Sequence, residues 1–292
     1  MRGIPCKHFC SGSGAYPLKP IWIAPDTRRT MNPKKTIDKD LAHFDKRLEE
    51  MGIRLKDADQ LKVREDVFDD VTLLALYKLV HKKWLSVIGG SISTGKEANV
   101  FYGERDGVAI AIKIYRIRTA NFTTMSSYII GDRRFSHVKK AKKELIFAWT
   151  KKEFSNLQRA KEAGIVVPEP LVWDRNILIM SFIGEDETPY PQLRNAHMDC
   201  PAEVYAGIIS DIDTLYNNAE LVHADLSEFN ILFGDRRYII DMGQSVTRDH
   251  PRAHHFLMRD IRNINRFFRS RCDVRNDVEI FNAVTGLDTT VP

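Results

Sequence analysis

The chain has 292 residues, of which 43% are hydrophobic and 28% charged, and this ordinary composition excludes collagen-like, mucin-like and wholly disordered proteins. The formal net charge is +5, from 44 Lys and Arg against 39 Asp and Glu. Residues 113–152 hold 11 basic and two acidic residues, so this run carries +9 while the rest of the chain, with 33 basic and 37 acidic residues, carries −4.

The cysteine content and the length of apolar runs indicate the cellular compartment of the protein. Four cysteines, at positions 6, 10, 200 and 272, are too few and too scattered for a disulfide framework. No run of 18 apolar residues is present and no apolar stretch lies near the N-terminus, so neither a membrane span nor a secretory signal is predicted. Cys6 and Cys10 flank His8, but the pair lacks the second half of a tetrahedral zinc site. The sequence therefore predicts a cytoplasmic protein with no membrane contact.

The first 90 residues divide into two predicted segments. Residues 1–40 contain five prolines and no sustained periodicity, which predicts a flexible N-terminal arm. Residues 41–90 are predicted to form N-terminal helices, a short one over 40–52 and a longer one from about Asp66 to Trp84. Asp66 is the expected cap of the longer helix, and Gly89-Gly90 is its expected end.

A hairpin and a long helix follow. Residues 99–103 and 108–114 are rich in β-branched and aromatic residues around a turn at 104–107, which predicts two antiparallel strands. Residues 116–140 are rich in Ser, Thr and basic residues, which predicts an exposed, mobile loop. A helix is expected from about Lys142 to Ala163, with Gly164 just after its end.

The second half of the chain alternates short strands and helices. A buried strand is predicted over 177–180, ended by Gly184, and a helix over 201–219. Residues 231–233 and 238–240 are predicted to form a second hairpin. The chain from His250 onward is predicted to be helical, with arginine and no lysine among its residues.

Three groups of residues carry chemistry, and the first is the segment 90–97, GSISTGKE. It matches a Walker A pattern except that Glu97 stands where Ser or Thr would bind magnesium. A Walker A loop opens into a helix, whereas Ala98 leads into a predicted strand. The segment therefore favours a loop between strands, either one whose backbone N–H groups approach phosphates or a plain turn.

The second group centres on Lys113, which closes the nearly all-apolar strand VAIAIK. Burying an ammonium group is costly unless an anion receives it. Glu153 on the following helix is the candidate partner and Glu144 the alternative, with a phosphate on the other side. A lysine that reaches solvent from the strand end is the simpler interpretation.

The third group is the segment 223–230, HADLSEFN, with Asp241-Met-Gly243 after the second hairpin. Asp225 and Asn230 lie five residues apart, and the hairpin can return Asp241 beside them. Two carboxylates and an amide that converge repel one another unless a hard cation neutralises them, which indicates magnesium with oxygen ligands. The order of these residues matches the catalytic loop and metal-binding Asp of protein kinases.

Together these motifs resemble the RIO family of atypical serine/threonine protein kinases, in particular its type-1 branch. The resemblance runs from about residue 45 to 275 and is carried by 93–100 (STGKEANV), 112–115 (IKIY), 223–230 (HADLSEFN) and 240–246 (IDMGQSV). It implies an α+β, bilobal protein-kinase-like fold. A small β-rich N-lobe and hinge would cover 91–184, with the basic flexible loop at 116–140, and a reduced helical C-lobe would cover 185–292.

The resemblance also implies roles for individual residues. Asp225 would be the catalytic base, while Asn230 and Asp241 would bind Mg²⁺, with Mn²⁺ as a substitute. Asp241 is in addition described in this family as a phosphoryl acceptor. The ATP-binding residues would be the phosphate loop Ser93, Thr94, Gly95, Lys96, Glu97, Ala98 and Val100, the pair Lys113 and Glu153, and the hinge Met180, Ser181 and Ile183. Ser181 stands where the family usually has Glu, and Phe229 where it usually has Tyr.

The implied function is an ATP-dependent serine/threonine kinase or ATPase that acts in maturation of the small ribosomal subunit, with rRNA and ribosomal proteins as partners. Two alternatives remain open. The first is an RNA-associated ATPase switch with little activity on other proteins. The second is a small-molecule phosphotransferase, which usually carries a larger helical substrate lobe than the roughly 45 residues after Thr247 would provide. Residues 116–152, within the basic run, and the Arg-rich C-terminal helix are candidate RNA contacts, against the simpler interpretation of a solvated helix face.

Overall fold

The computed structural model describes residues 69–117, 122–135 and 141–288. The predicted arm, the helix over 40–52 and the Cys6–Cys10 segment lie outside these residues. The helices and strands, in chain order, are α1 (Asp70–His81), β1 (Val87–Thr94), β2 (Ala98–Arg105), β3 (Val108–Tyr115), α2 (Phe122–Ile129), α3 (Lys142–Glu162), β4 (Pro170–Asp174), β5 (Ile177–Ser181), β6 (Gly184–Glu185), β7 (Thr188–Pro189), α4 (Pro201–Asn217), β8 (Leu221–Val222), β9 (Ile231–Phe233), β10 (Arg237–Ile239), β11 (Val246–Thr247), α5 (Ala253–Phe268) and α6 (Asp277–Thr285), with 3₁₀ turns at Arg133–Phe135 and Leu193–Asn195.

Five strands form an antiparallel sheet in the order β1-β2-β3-β5-β4. The predicted hairpin is confirmed, and its register places Val100 opposite Lys113. Side chains alternate between the two faces of β3, so Ile110, Ile112 and Ile114 pack in the cluster that includes α1. Lys113 therefore points to the opposite face, towards α3.

Helix α1 differs from its prediction at its C-terminal end. Its N-cap is Asp69, whose side chain accepts hydrogen bonds from the Thr72 backbone N–H and hydroxyl, whereas the predicted cap Asp66 lies outside the described residues. The helix ends at His81, and Gly89-Gly90 lies inside β1, so the predicted end was wrong. The chain turns earlier, where Lys83 adopts φ +59° and the Trp84 N–H bonds the Leu79 carbonyl.

The predicted exposed loop over 116–140 is wrong for residues 122–135. Helix α2 occupies part of this segment and buries Met125, Tyr128 and Ile129. Tyr128 packs against Trp149 of α3, with ring centroids 6.1 Å apart. The Ser and Thr residues suggested a loop, but Met125 and Ile129 recur at helical spacing and provide a face that tertiary packing can bury.

The remaining predicted elements agree with the structure. Helix α3 ends just before Gly164, which has φ +90° and suits the left-handed position after a helix. The short pairs β9–β10 and β8–β11 bring residues 223–230 beside residues 240–246. Helices α4, α5 and α6 pack around these strands in one apolar core shared with α3. Among the described helices, none is long and apolar enough to cross a membrane.

Candidate active site

A cavity of about 780 Å³ lies between the sheet and the helical half of the molecule. Its wall contains most of the residues that the sequence singled out, namely Ser93, Gly95, Lys96, Glu97, Ala98, Val100, Lys113, Met180, Ser181, Ile183, Asn230 and Asp241. Thr94, Glu153 and Asp225 do not line the cavity. Glu153 and Asp225 contact residues that do line it, whereas no contact in the structure ties Thr94 to the site.

The segment 90–97 adopts the geometry expected of a loop between strands. Residues up to Thr94 belong to β1, and Ala98 begins β2. The Gly95 N–H bonds the Ala98 carbonyl at 2.9 Å, which closes the turn over the cavity. No helix follows, so the segment is not a Walker A loop.

Lys113 joins two carboxylates from different parts of the chain. Its Nζ lies 2.7 Å from Glu153 Oε1 on α3 and 2.9 Å from Asp241 Oδ1 after the second hairpin. The Glu153 side chain is 1% exposed, and the Tyr115 hydroxyl donates to its other oxygen. The partner is thus Glu153 rather than Glu144, which is exposed on the same helix.

Burial and neighbouring charges have opposite effects on the pKa values of Lys113, Glu153 and Asp241. Burial by itself would lower the pKa of Lys113, but Asp241 and Glu153 together hold it well above its ordinary value, so the ammonium persists. Burial raises the pKa of Glu153, and Lys113 only partly offsets this. Burial would also raise the pKa of Asp241, but Lys113 outweighs it and the pKa lies below the ordinary value. Asp241, whose side chain is 48% exposed, therefore presents an ionised carboxylate to the cavity.

Asp225 is held by two amide side chains. Gln244 Nε2 donates to Asp225 Oδ2 at 3.0 Å, and Asn230 Nδ2 donates to the Asp225 carbonyl at 2.9 Å. Burial, followed by the Asp241 charge, raises the pKa of Asp225. A carboxylate with a raised pKa is better suited to accept a proton at neutral pH.

The loop that carries Asp225 is held in an unfavourable conformation by α5. Ala224 is buried at φ +65°, a region that costs a residue with a side chain about 1–2 kcal/mol. Asp260 accepts from the backbone N–H groups of Ala224 and Leu226 at 2.7 and 2.9 Å, and Arg259 donates to the Ala224 carbonyl. These contacts fix the loop in its strained conformation and hold the Asp225 backbone in place.

Helix α3 holds the segment after Asp241 in the same way. Lys152 and Asn156 are both fully buried. Lys152 donates to the carbonyls of Gly243 and Ser245, and Asn156 donates to those of Met242 and Ser245. A Cβ at Gly243 would approach the Trp149 indole nitrogen to 2.8 Å, which explains glycine in the Asp-Met-Gly sequence. The sequence motifs did not predict the roles of the four positioning residues Lys152, Asn156, Gln244 and Asp260. The one sequence signal for Lys152, Asn156 and Asp260 is that each places a polar side chain at a helix position where the helical pattern is otherwise apolar.

The donor set around Asp241 suits a hard cation. Because Asn230 uses its amide nitrogen on Asp225, its carbonyl oxygen remains as a ligand beside the Asp241 carboxylate. Burial, followed by the charge of Asp241, raises the pKa of Glu97, which indicates crowded negative charge in the cavity. No cluster of three His, Cys, Asp or Glu is present among the described residues. One carboxylate, one amide oxygen and ligand phosphates are a set that magnesium accepts.

An antiparallel sheet that carries a buried Lys–Glu pair, together with an Asp–Asn–Asp group at the same cavity, defines a protein-kinase-like phosphotransferase. Comparison with known proteins narrows this class, because the RIO domain family matches residues 99–280. The RIO-type serine/threonine-protein kinase Rio1 of Haloferax volcanii is 41% identical over 244 residues, covering 83% of this chain and 84% of the relative. The chain belongs to the RIO family of atypical serine/threonine protein kinases, in its type-1 branch.

A second relative agrees with this assignment, and a solved structure shares the fold. Serine/threonine-protein kinase RIO1 of Homo sapiens is 40% identical, and the match covers 81% of this chain but 43% of the human protein. The Rio2 kinase–ADP/Mg²⁺–phosphoaspartate complex from Chaetomium thermophilum matches with a TM-score of 0.58 at 24% identity, covering 76% of this chain and 68% of that one. At this identity the structural likeness concerns the fold alone, and it confirms the predicted α+β, bilobal protein-kinase-like fold.

Proposed function

We propose that this protein binds ATP with Mg²⁺ in the cavity and transfers the γ-phosphate to a serine or threonine hydroxyl of a protein. The observation that carries the proposal is the position of Lys113, which links Glu153 to Asp241 at the cavity, while Asn230 lines the same cavity and contacts Asp225. Lys113 would hold the α- and β-phosphates. Asn230 and Asp241 would hold Mg²⁺, or Mn²⁺ as a substitute with similar oxygen preference.

The remaining residues are assigned to contacts with the phosphates and the adenine of ATP. The loop from Ser93 to Val100, including Thr94, would cover the phosphates, and the backbone at Met180, Ser181 and Ile183 would contact adenine. When bound, Mg²⁺ neutralises phosphate charge and orients the γ-phosphoryl group. Asp225 would accept the proton of the attacking hydroxyl, whose oxygen bonds to the γ-phosphorus as the bond to the β-phosphate oxygen breaks and ADP leaves.

A second candidate function is ATP hydrolysis through Asp241 itself. Its carboxylate is ionised and half-exposed to the cavity, and the related Rio2 complex is described as containing phosphoaspartate. In this reaction an Asp241 oxygen bonds to the γ-phosphorus and ADP leaves. Water then attacks the phosphorus and releases inorganic phosphate, which returns the carboxylate.

A single-turnover experiment with γ-labelled ATP separates these two functions. Label on serine or threonine resists acid and hydroxylamine, whereas an acyl phosphate on Asp241 is released by hydroxylamine. We expect label on protein that resists hydroxylamine for the kinase. Release of all label as free phosphate, with none on serine or threonine, would favour the hydrolase.

We predict that Asp241→Asn weakens nucleotide binding only when Mg²⁺ is present. A neutral amide replaces a charged ligand of a hard cation, so the Mg²⁺-dependent affinity for ATP should fall by at least the roughly 10–100-fold that changes around metal ligands cost. Nucleotide affinity measured across a Mg²⁺ titration checks this, with affinity in chelator as the internal control. An equal loss with and without Mg²⁺ would contradict the assignment of Asp241 as a metal ligand.

We further propose that the protein acts in the cytoplasm, on the maturing small ribosomal subunit, and contacts its RNA. The structure divides the +9 run into several parts rather than one surface. Lys113 and Lys152 are buried, and Arg134 is paired with the buried Asp132. Lys142, Lys143 and Lys151 are exposed on α3, and Arg262, Arg266 and Arg269 are exposed on or just after α5. Among the described residues, these six are exposed candidates for phosphate contacts, together with Arg133, whose side chain is 88% exposed.

Salt dependence tests the RNA contact. The triple variant Lys142→Gln, Lys143→Gln, Lys151→Gln should flatten the dependence of log affinity on log salt by about 2–3, since each phosphate contact contributes roughly 0.7–0.9. The matched control changes Lys78, Lys82 and Lys83, which are exposed around the end of α1, to Gln. Binding of a ribosomal RNA fragment is measured across a salt series. Identical slopes for both triple variants and the wild type would exclude α3 as an RNA-binding surface.

A further inference from the structure

A second cleft, of about 310 Å³, lies outside the active-site cavity and shares none of its lining residues. Four arginines line it: Arg133 and Arg134 from the 3₁₀ turn after α2, Arg159 from the end of α3, and Arg248 from the segment after β11. Its volume falls at the lower end of the range for small-ligand sites.

One of the four arginines is paired within the protein. Arg134 donates to both oxygens of Asp132, Nε to Oδ1 at 3.0 Å and Nη2 to Oδ2 at 2.7 Å, and Asp132 is 1% exposed. This bidentate pair neutralises Asp132 but uses only part of the guanidinium. Among the described residues, Arg134 Nη1 has no hydrogen-bond partner although it is buried.

The other three arginines face only two carboxylates. Glu220 is shared by Arg159 at 3.0 Å and Arg248 at 3.2 Å. Arg133 lies 3.5 Å from Asp249, and its side chain is 88% exposed, which makes this a loose pair. The four arginines and three acids that line the cleft leave a charge of +1.

We propose that this cleft binds a phosphoryl dianion, either a phosphate ester on a serine or threonine side chain or inorganic phosphate. Guanidinium groups present paired N–H donors that match phosphate oxygens, and the surplus positive charge favours a dianion. The unpartnered Arg134 Nη1 calls for an acceptor, because buried donors are nearly always paired. Thr247, which is 8% exposed, adds a hydroxyl to the wall. The simpler interpretation is a network of ion pairs that only stabilises the fold.

The test uses the full chain with a non-hydrolysable ATP analogue and Mg²⁺ at saturation, so that phosphate cannot report on the active-site cavity. Inorganic phosphate and N-acetyl-phosphothreonine amide are titrated separately, and binding is followed by calorimetry and NMR shifts. Unphosphorylated N-acetyl-threonine amide serves as the ligand control. We expect saturable binding of at least one phosphorylated probe and none of the control.

The cleft is tested with the double variant Arg159→Gln, Arg248→Gln. Its control is Lys82→Gln, Lys83→Gln, which removes the same charge at exposed positions just after α1. Affinity for the phosphorylated probe should fall at least about tenfold in the cleft variant and stay within twofold in the control. Arg248→Lys keeps the charge but loses the paired donors, so it should weaken binding severalfold. This single variant replaces the double variant in the test if the double variant does not fold.

The two probes identify the source of the anion. Binding of phosphothreonine amide alone would identify a phosphorylated residue as the ligand, and comparable binding of inorganic phosphate would identify the free anion. Equal affinity in the cleft and control variants, or no saturable binding of either probe to the wild type, would overturn the proposal and leave the arginines as a structural network.

Discussion

Asp225→Ala should reduce phosphoryl transfer by about 10²–10⁴-fold while Mg²⁺–ATP binding stays close to that of the wild type. Asp225 lies off the cavity wall and does not contact Lys113, so the nucleotide site should survive its loss. Its raised pKa and its position beside Asn230 and Gln244 suit a group that takes a proton from an attacking hydroxyl. Single-turnover rates and nucleotide affinity are measured on the same preparation.

Two further variants separate catalysis from structure in this test. Asp225→Asn keeps the size of the side chain and should be nearly as slow as Asp225→Ala, because the amide cannot act as a base. Asp213→Asn, at an exposed position on α4, should leave the rate unchanged. A folded Asp225→Asn protein with the wild-type rate would remove Asp225 from the mechanism.

Lys113→Met should abolish activity and also destabilise the fold by about 3–5 kcal/mol, since removing one partner of a buried pair leaves the other charge uncompensated. The remaining charge is that of Glu153, which is 1% exposed and keeps only the Tyr115 hydroxyl as a donor. Asp241 loses the same partner at much smaller cost, because its side chain is 48% exposed. Chemical denaturation of wild type and variant measures the difference.

The pH dependence of that variant has a definite sign. Burial already raises the pKa of Glu153 above its ordinary value, and loss of Lys113 removes the main opposing charge. The folded state then binds a proton more tightly than the unfolded state, so stability is greatest at low pH and is lost as pH rises through the raised pKa. The unfolding free energy of Lys113→Met should therefore be lower at pH 8 than at pH 5.5.

A second substitution identifies Glu153 as the cause. Adding Glu153→Gln to Lys113→Met removes the uncompensated charge and should restore much of the stability, with little dependence on pH and without activity. A double variant as unstable as Lys113→Met alone would place the origin of the instability elsewhere.

Much of the architecture and of the active-site set could be predicted from local sequence. Alternation of apolar residues in β3, the 21-residue helix α3 and the order Asp225, Asn230, Asp241 are patterns within short segments, and the predicted elements agree with the structure. A lysine at the end of an apolar strand demanded an anionic partner, which pointed to Glu153. These inferences succeeded because burying a charge or exposing an apolar face is costly wherever it occurs.

Other features depended on the tertiary structure. Helix α2 forms in a Ser- and Thr-rich segment because Trp149 and Phe256 cover Tyr128. Asp260 on α5 holds the Ala224 backbone from 36 residues away, and Lys152 on α3 holds Gly243 from 91 residues away. The sequence by itself determined which residues are proposed to carry the chemistry, because their types and spacing are local. Only the tertiary structure decided how they are held and which basic residues stay free, because those contacts join segments that are distant in sequence.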